Sequence, residues 1–109
     1  AAIVIKGTAN GDALSVTPTS AVTATVSTSG LNYSINTNNT GPLFVDGQGG
    51  NDSVTVNANA GNNQIVVTGV LGLPTVQIDA LKVVTLPAAT TESLLIAGGL
   101  GNDDLIVNA

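Results

Sequence analysis

An all-β fold is predicted by three observations: apolar residues alternate with polar ones, the turns are built from glycine and asparagine, and one block recurs along the chain. The alternation runs almost from end to end. Leu14 and Val16 alternate with Ser15 and Thr17, and Val22, Ala24 and Val26 with Thr23 and Thr25. Leu31, Tyr33 and Ile35 then alternate with Asn32, Ser34 and Asn36. Val54 and Val56, Ile65 and Val67, Val76 and Ile78, Leu94 and Ile96, and Leu105 and Val107 continue it. Period-two apolar positions with β-branched residues among them mark half-buried strands. No window carries a 3.6-residue period, and Gly, Asn and Thr are poor helix formers. About ten or eleven short strands, spaced roughly ten residues apart, follow from this pattern.

The recurrence decides how those strands are arranged. Residues 46–58 (DGQGGNDSVTVNA) fall on residues 97–109 (AGGLGNDDLIVNA) at a shift of 51 positions, with seven of thirteen pairs identical. The same shift lays Ala9–Thr17 on Ala60–Thr68, and one gap brings the stretch from Thr25 to Leu31 onto that from Thr75 to Leu81. Two units, approximately 7–57 and 58–109, therefore make up a single repetitive domain. Supersecondary units that cannot close their own apolar faces stack on their neighbours. The expectation is a parallel β-helix or β-solenoid of two ~51-residue repeats, with a β-sandwich of two similar halves as the alternative. Stacked coils would bring Asp52 and Asp103 to matching corners.

Four glycine-rich corners punctuate the units: GTANGDALS (7–15), GQGGNDSVT (47–55), ANAGNNQIV (58–66) and GGLGNDDLI (98–106). Asp12, Asp52, Asn63 and Asp103 hold the sixth position, and Leu14, Val54, Ile65 and Leu105 the eighth. An Asx side chain two residues before the first inward aliphatic ties down the turn backbone from which the strand starts. The corner at 98–106 resembles the G-G-x-G-x-D-x-U-x nonapeptide of RTX (repeats-in-toxin) proteins. That resemblance covers the four corners, about a third of the chain, and implies a parallel β-roll, an extracellular setting and calcium. The ligands it implies are Asp12, Asp52 and Asp103, the carbonyls of Gly47 and Gly98, and Asp104 as a second carboxylate at the last corner. This chain departs from the family in spacing its corners by 40, 11 and 40 residues rather than back to back, and in carrying Asn63 where an acid belongs. Calcium needs six to eight oxygens, so the competing expectation is that these Asx residues cap turns without metal.

Composition excludes much else. Lys6 and Lys82 are the only cations against seven acids, for a net charge of −5. Phosphate neutralisation needs clustered cations, so nucleic acid and anionic membrane surfaces are not expected partners. No apolar run is long enough to insert in a membrane. We see no signal peptide, and the first residue is not Met, which leads us to expect a processed or excised segment. Both lysines are expected at strand edges or on the wet face. The longer turns at residues 37–42 and 87–92 are expected to be the most exposed and mobile.

Catalysis lacks raw material: there is no His or Cys, and Ser and Thr have no neighbouring base. Asp103 and Asp104 are strand neighbours on opposite faces and cannot flank one bond. An isopeptide joining a lysine to an Asn, assisted by Glu92 or an Asp, would need all three buried together. The sequons at Asn32, Asn38 and Asn51 are expected by chance in so Asn-rich a chain, Asn38 being the best placed. Thr-x-Thr triplets at 17–19 and 23–25 do not recur 51 residues on, which breaks the ladder an ice-binding face needs. The function expected is thus a non-enzymatic structural module of an extracellular fibre, surface layer or adhesin stalk. It would continue head to tail through exposed strand edges, by self-association or through neighbouring repeats of the same chain. The rival is a calcium-dependent extracellular binding module presenting loops to a carbohydrate or cell-surface ligand, with an RTX-type secretion tail as a weaker third.

Overall fold

The computed structural model describes residues 3–28, 30–69 and 72–108; Ala109, the last residue of the second unit, lies outside them. Eleven strands occupy the described residues: β1 (Val4–Lys6), β2 (Ala13–Pro18), β3 (Thr23–Thr28), β4 (Leu31–Asn36), β5 (Leu43–Asp46), β6 (Ser53–Asn57), β7 (Gln64–Thr68), β8 (Thr75–Ile78), β9 (Val84–Thr85), β10 (Ser93–Ala97) and β11 (Asp104–Asn108). A 3-10 turn at Ala88–Thr90 is the one helical element among them. The strands form two mixed sheets, ordered β1-β5-β9-β8-β7-β11 and β10-β6-β2-β3-β4. Both sheets feed one apolar core. Leu14, Val16, Val26, Val54 and Val56 enter from the five-stranded sheet, and Leu43, Val45, Ile65, Val76, Ile78 and Val84 from the six-stranded one. Each fully buried aliphatic contributes about 1.5–3 kcal/mol.

The fold is therefore all-β and sandwich-like, and the described residues form no closed parallel β-solenoid. Parallel winding is interrupted in each sheet by an antiparallel meander, β2-β3-β4 in one and β7-β8-β9 in the other. Short turns make these meanders inevitable. Only two residues separate the neighbours β3 and β4, one of them Gly30 with a φ of +79°, too few for the crossover that parallel strands require.

Four of the five parallel pairs lie forty residues apart and the fifth, β5 with β9, forty-one, not 51. Val4 is opposite Phe44, Ala13 opposite Ser53, Ser53 opposite Ser93, and Gln64 opposite Asp104. This register stacks inward on inward: Leu14, Val54 and Leu94 form one row, and Val16, Val56 and Ile96 the next. A slip of one residue would turn every one of these side chains to solvent.

The 51-residue shift is nevertheless real in the fold, as a relation between sheets. It carries β2, β3, β4 and β6 onto β7, β8, β9 and β11 and reproduces every pairing among them. Each unit thus builds most of one sheet. Its remaining strand crosses over: β5 joins the second unit's sheet beside β9, and β10 joins the first unit's sheet beside β6. Asp52 and Asp103 consequently do not stack on one another. The shift exceeds the pairing step by eleven residues, the distance from one corner to the next, so equivalent corners fall in opposite sheets.

Candidate functional site

The corners form two stacks, each held by side-chain oxygens that reach across rungs. In the first stack, the Asp12 amide donates to Asp52 Oδ1 at 2.8 Å and the Asp52 amide donates to Glu92 Oε1 at 2.7 Å. In the second, the Asn63 amide donates to Asp103 Oδ1 at 2.9 Å, and the Asn102 amide to Asn62 Oδ1 at 2.7 Å. The side chains of Asp52 and Asp103 thus tie down the turn forty residues before their own. Asp12, on the first rung, holds its own turn instead, its Oδ2 accepting from the Thr8 amide at 2.7 Å.

The first glycine of the corner has a steric reason. A Cβ on Gly47 would lie 2.4 Å from Asp52 Oδ2 and 2.6 Å from the Thr90 carbonyl, and one on Gly98 would lie 2.7 Å from Asp103 Oδ2. The carboxylate packs over the glycine Cα, so any side chain there evicts it. Gly50 meets a second demand: its φ is +84°, and a Cβ would sit 2.5 Å from the Asn10 carbonyl carbon of the adjacent rung.

The residues expected to hold calcium are divided between the stacks. Asp12, Asp52 and Gly47 belong to the first, Asp103 and Gly98 to the second, and Asp104 opens β11, exposed and opposite Gln64. Oδ1 of Asp52 and of Asp103 and Oδ2 of Asp12 already accept amide protons. Asp52 Oδ2 is buried without a hydrogen-bond partner, but it faces the Cα of Gly47 rather than open space. No group of three or more acids converges among the described residues. This donor set does not fit the oxygen-rich shell that calcium requires.

Three features escaped the sequence. Glu92 closes the first stack from a corner, Pro87–Glu92, that has neither glycine nor Asp; the segment is a third rung and not merely an exposed loop. Asp79, at φ +51°, caps β7 by accepting from the Gln64 amide and the Asn63 side chain at 2.9 and 2.8 Å. Those two hydrogen bonds, the backbone one foremost, hold its carboxyl below the usual Asp range.

Lys82 is the third, and it is not on the wet face. Its side chain is 1% exposed, and the ammonium donates to Thr37 Oγ1 and to the Asn39 carbonyl, the latter at 2.9 Å. The turn at residues 37–42 wraps this cation, so Thr37 is buried instead of mobile and exposed. Burial lowers the Lys82 pKa from the ordinary lysine value. No isopeptide is assembled, because Lys82 meets the backbone oxygen of Asn39 while Glu92 is committed to the Asp52 amide. Lys6, by contrast, is exposed on β1 as expected.

The remaining feature is the pair of open ends. β1 and β4 are edges at one end, and β10 and β11 at the other. A cavity of about 400 Å³ opens between β1 and the β3-β4 hairpin, lined by Ile3, Ile5, Leu14, Val26, Tyr33 and Ile35 among others. At the opposite end Leu95, Leu105 and Val107 are 60%, 56% and 65% exposed. Large apolar side chains elsewhere on the described surface are confined to Leu73 and Leu100 in turns. Among the described residues no helix is long and apolar enough to cross a membrane. No family model, curated protein or solved structure matches this chain.

Proposed function

We propose that this chain is a non-catalytic structural module of an extracellular fibre, surface layer or adhesin stalk, in which 51-residue units add along one axis in the manner of a β-solenoid. The observation that carries this is the interlocking of the two units. Each lends one strand to the other's sheet, so every unit is completed by a neighbour, and the outermost strands are left with unpaired edges. Open edges accept further strands. The polar, cation-poor surface and the RTX-like corners support the extracellular setting, and the lack of His and Cys supports a non-enzymatic role.

The test is a chain lengthened by a second copy of residues 58–108. A third unit that docks raises the melting temperature and the protease resistance of the whole, since array stability sums unit and interface contributions. An added unit that stays unfolded overturns the proposal. The rival calcium-dependent binding module would have to recruit the unpaired buried Oδ2 of Asp52, which Gly47 now covers. Thermal melts separate the two: tight calcium binding must raise stability by mass action. The structural reading expects the same melting point in millimolar calcium and in excess chelator.

A further inference from the structure

We infer that the β10-β11 end of one copy of this chain docks on the β1-β4 end of a second copy, with β11 of the first taking the place of β1 in the second. This deepens the structural reading above and rests on it. The argument comes from the interface the chain already makes between its own units. The 51-residue relation matches β4 with β9 and β5 with β10. Inside the chain β5 pairs with β9 in parallel, Leu43 opposite Val84 and Phe44 opposite Thr85. Their counterparts β4 and β10 lack this partner and are the two free edges of the five-stranded sheet. Each is the other's missing neighbour. Repeating the internal register sets Leu94 of one copy opposite Tyr33 of the next, and Leu95 opposite Ser34.

The side chains suit that register. Leu94 and Ile96 occupy the inward positions that Leu43 and Val45 hold in β5, where both are fully buried. In the docked pair they fill the apolar cavity beside Tyr33 and Ile35. Neither β4 (LNYSIN) nor β10 (SLLIA) carries a charge that would blunt its edge.

One collision must be resolved. Applying the relation twice carries β1 onto β11, so Ile3 and Ile5 correspond to Leu105 and Val107, and both strands claim the same place beside β5. β11 has five residues and β1 three. The longer strand takes the place, and β1, with the exposed Lys6 at its end, gives way. Such contacts join unlike surfaces and do not close, so the product is an open filament.

The experiment uses the full chain carrying Leu95→Cys and Ser34→Cys, which is free of native cysteine. β4 and β10 are separated by three strands within one copy, roughly 19 Å, beyond the reach of a disulfide. Oxidation of the double variant is expected to give a reducible ladder of dimers, trimers and longer species, whereas either single variant stops at dimers. Adding Ile5→Asn loosens β1 and raises the yield about tenfold, and adding Val107→Asn abolishes it. A double variant that melts like the parent protein yet remains monomeric overturns the inference, as does a ladder indifferent to Val107→Asn. If the lengthened chain folds while cross-linking fails, docking between copies falls and the structural reading stands. If the added unit also stays unfolded, both fall.

Discussion

The two corner stacks carry the same glycine–Asx signature, yet Asp52 and Asp103 live in different surroundings. Asp52 is 1% exposed, with Asp12 on one side and Glu92 on the other. Asp103 lies on the last rung of its stack and is half-buried. In the first stack Asp52 sits between two acids; in the second, Asn63 faces Asp79 and donates to it. The signature therefore fixes the local turn, while the rungs above and below decide how much stability each residue carries.

Substituting the seat glycines should expose this contrast most sharply. Gly47→Ala presses a methyl between Asp52 and the Thr90 backbone and is expected to cost about 3 kcal/mol. Gly98→Ala meets only the Asp103 side chain, which has room to turn, and should cost about 1 kcal/mol. Urea unfolding of both variants checks the difference, and equal losses would show that the rungs are irrelevant.

Next come the acids themselves. Asp52→Ala strands the Asp12 amide and is expected to cost about 2 kcal/mol, against about 1 kcal/mol for Asp103→Ala at the more open rung. Asp52→Asn, which keeps the accepting oxygen, should recover most of the loss.

Asn63→Asp makes the second stack acidic like the first. Its new carboxyl faces Asp79, so the melting temperature should fall by about 5 °C at neutral pH. In the parent chain the Asp79 pKa is lowered on folding, so its contribution is present above the unfolded-state value and lost as pH falls through the folded one. The variant should therefore close the gap to the parent protein as the solution is acidified; a gap independent of pH would count against direct repulsion.

Lys82 offers the smallest effect and a different kind of contrast, a buried charge held by neutral oxygens rather than amides. With its folded pKa depressed, the unfolded chain binds the extra proton between that value and about 10.4. Stability should rise with pH through this window, because the burial penalty on the ammonium is lost there. Lys82→Met should abolish the alkaline rise and change neutral-pH stability by no more than about 1 kcal/mol, as followed by thermal melts across pH 8–11.

The strands, the corner glycines and the repeat were legible because each rests on local chemistry: Leu14 beside Ser15, Gly50 beside Asn51, one block copied at 51. What sequence could not supply was the partner of each corner. The spacings of 40 and 51 are both written in the chain, and identity favours 51, whereas hydrogen bonding follows 40. Glu92 stayed hidden because only its distance from Asp52 marks it, not its neighbours Thr90 and Thr91. Lys82 was unreadable for a similar reason. Its desolvation is tolerated through Thr37 and Asn39, more than forty residues away, and nothing adjacent announces them.

The eleven-residue excess of copy over rung has a bearing on display. Since each successive unit builds the opposite sheet, an insertion placed in one outward turn, and its counterpart a unit later, point away from each other. Any longer array made on this plan would carry two rows of appendages, back to back, with like positions recurring on one side only at every second unit. Decoration engineered at alternate units would leave one flank of such a fibre bare.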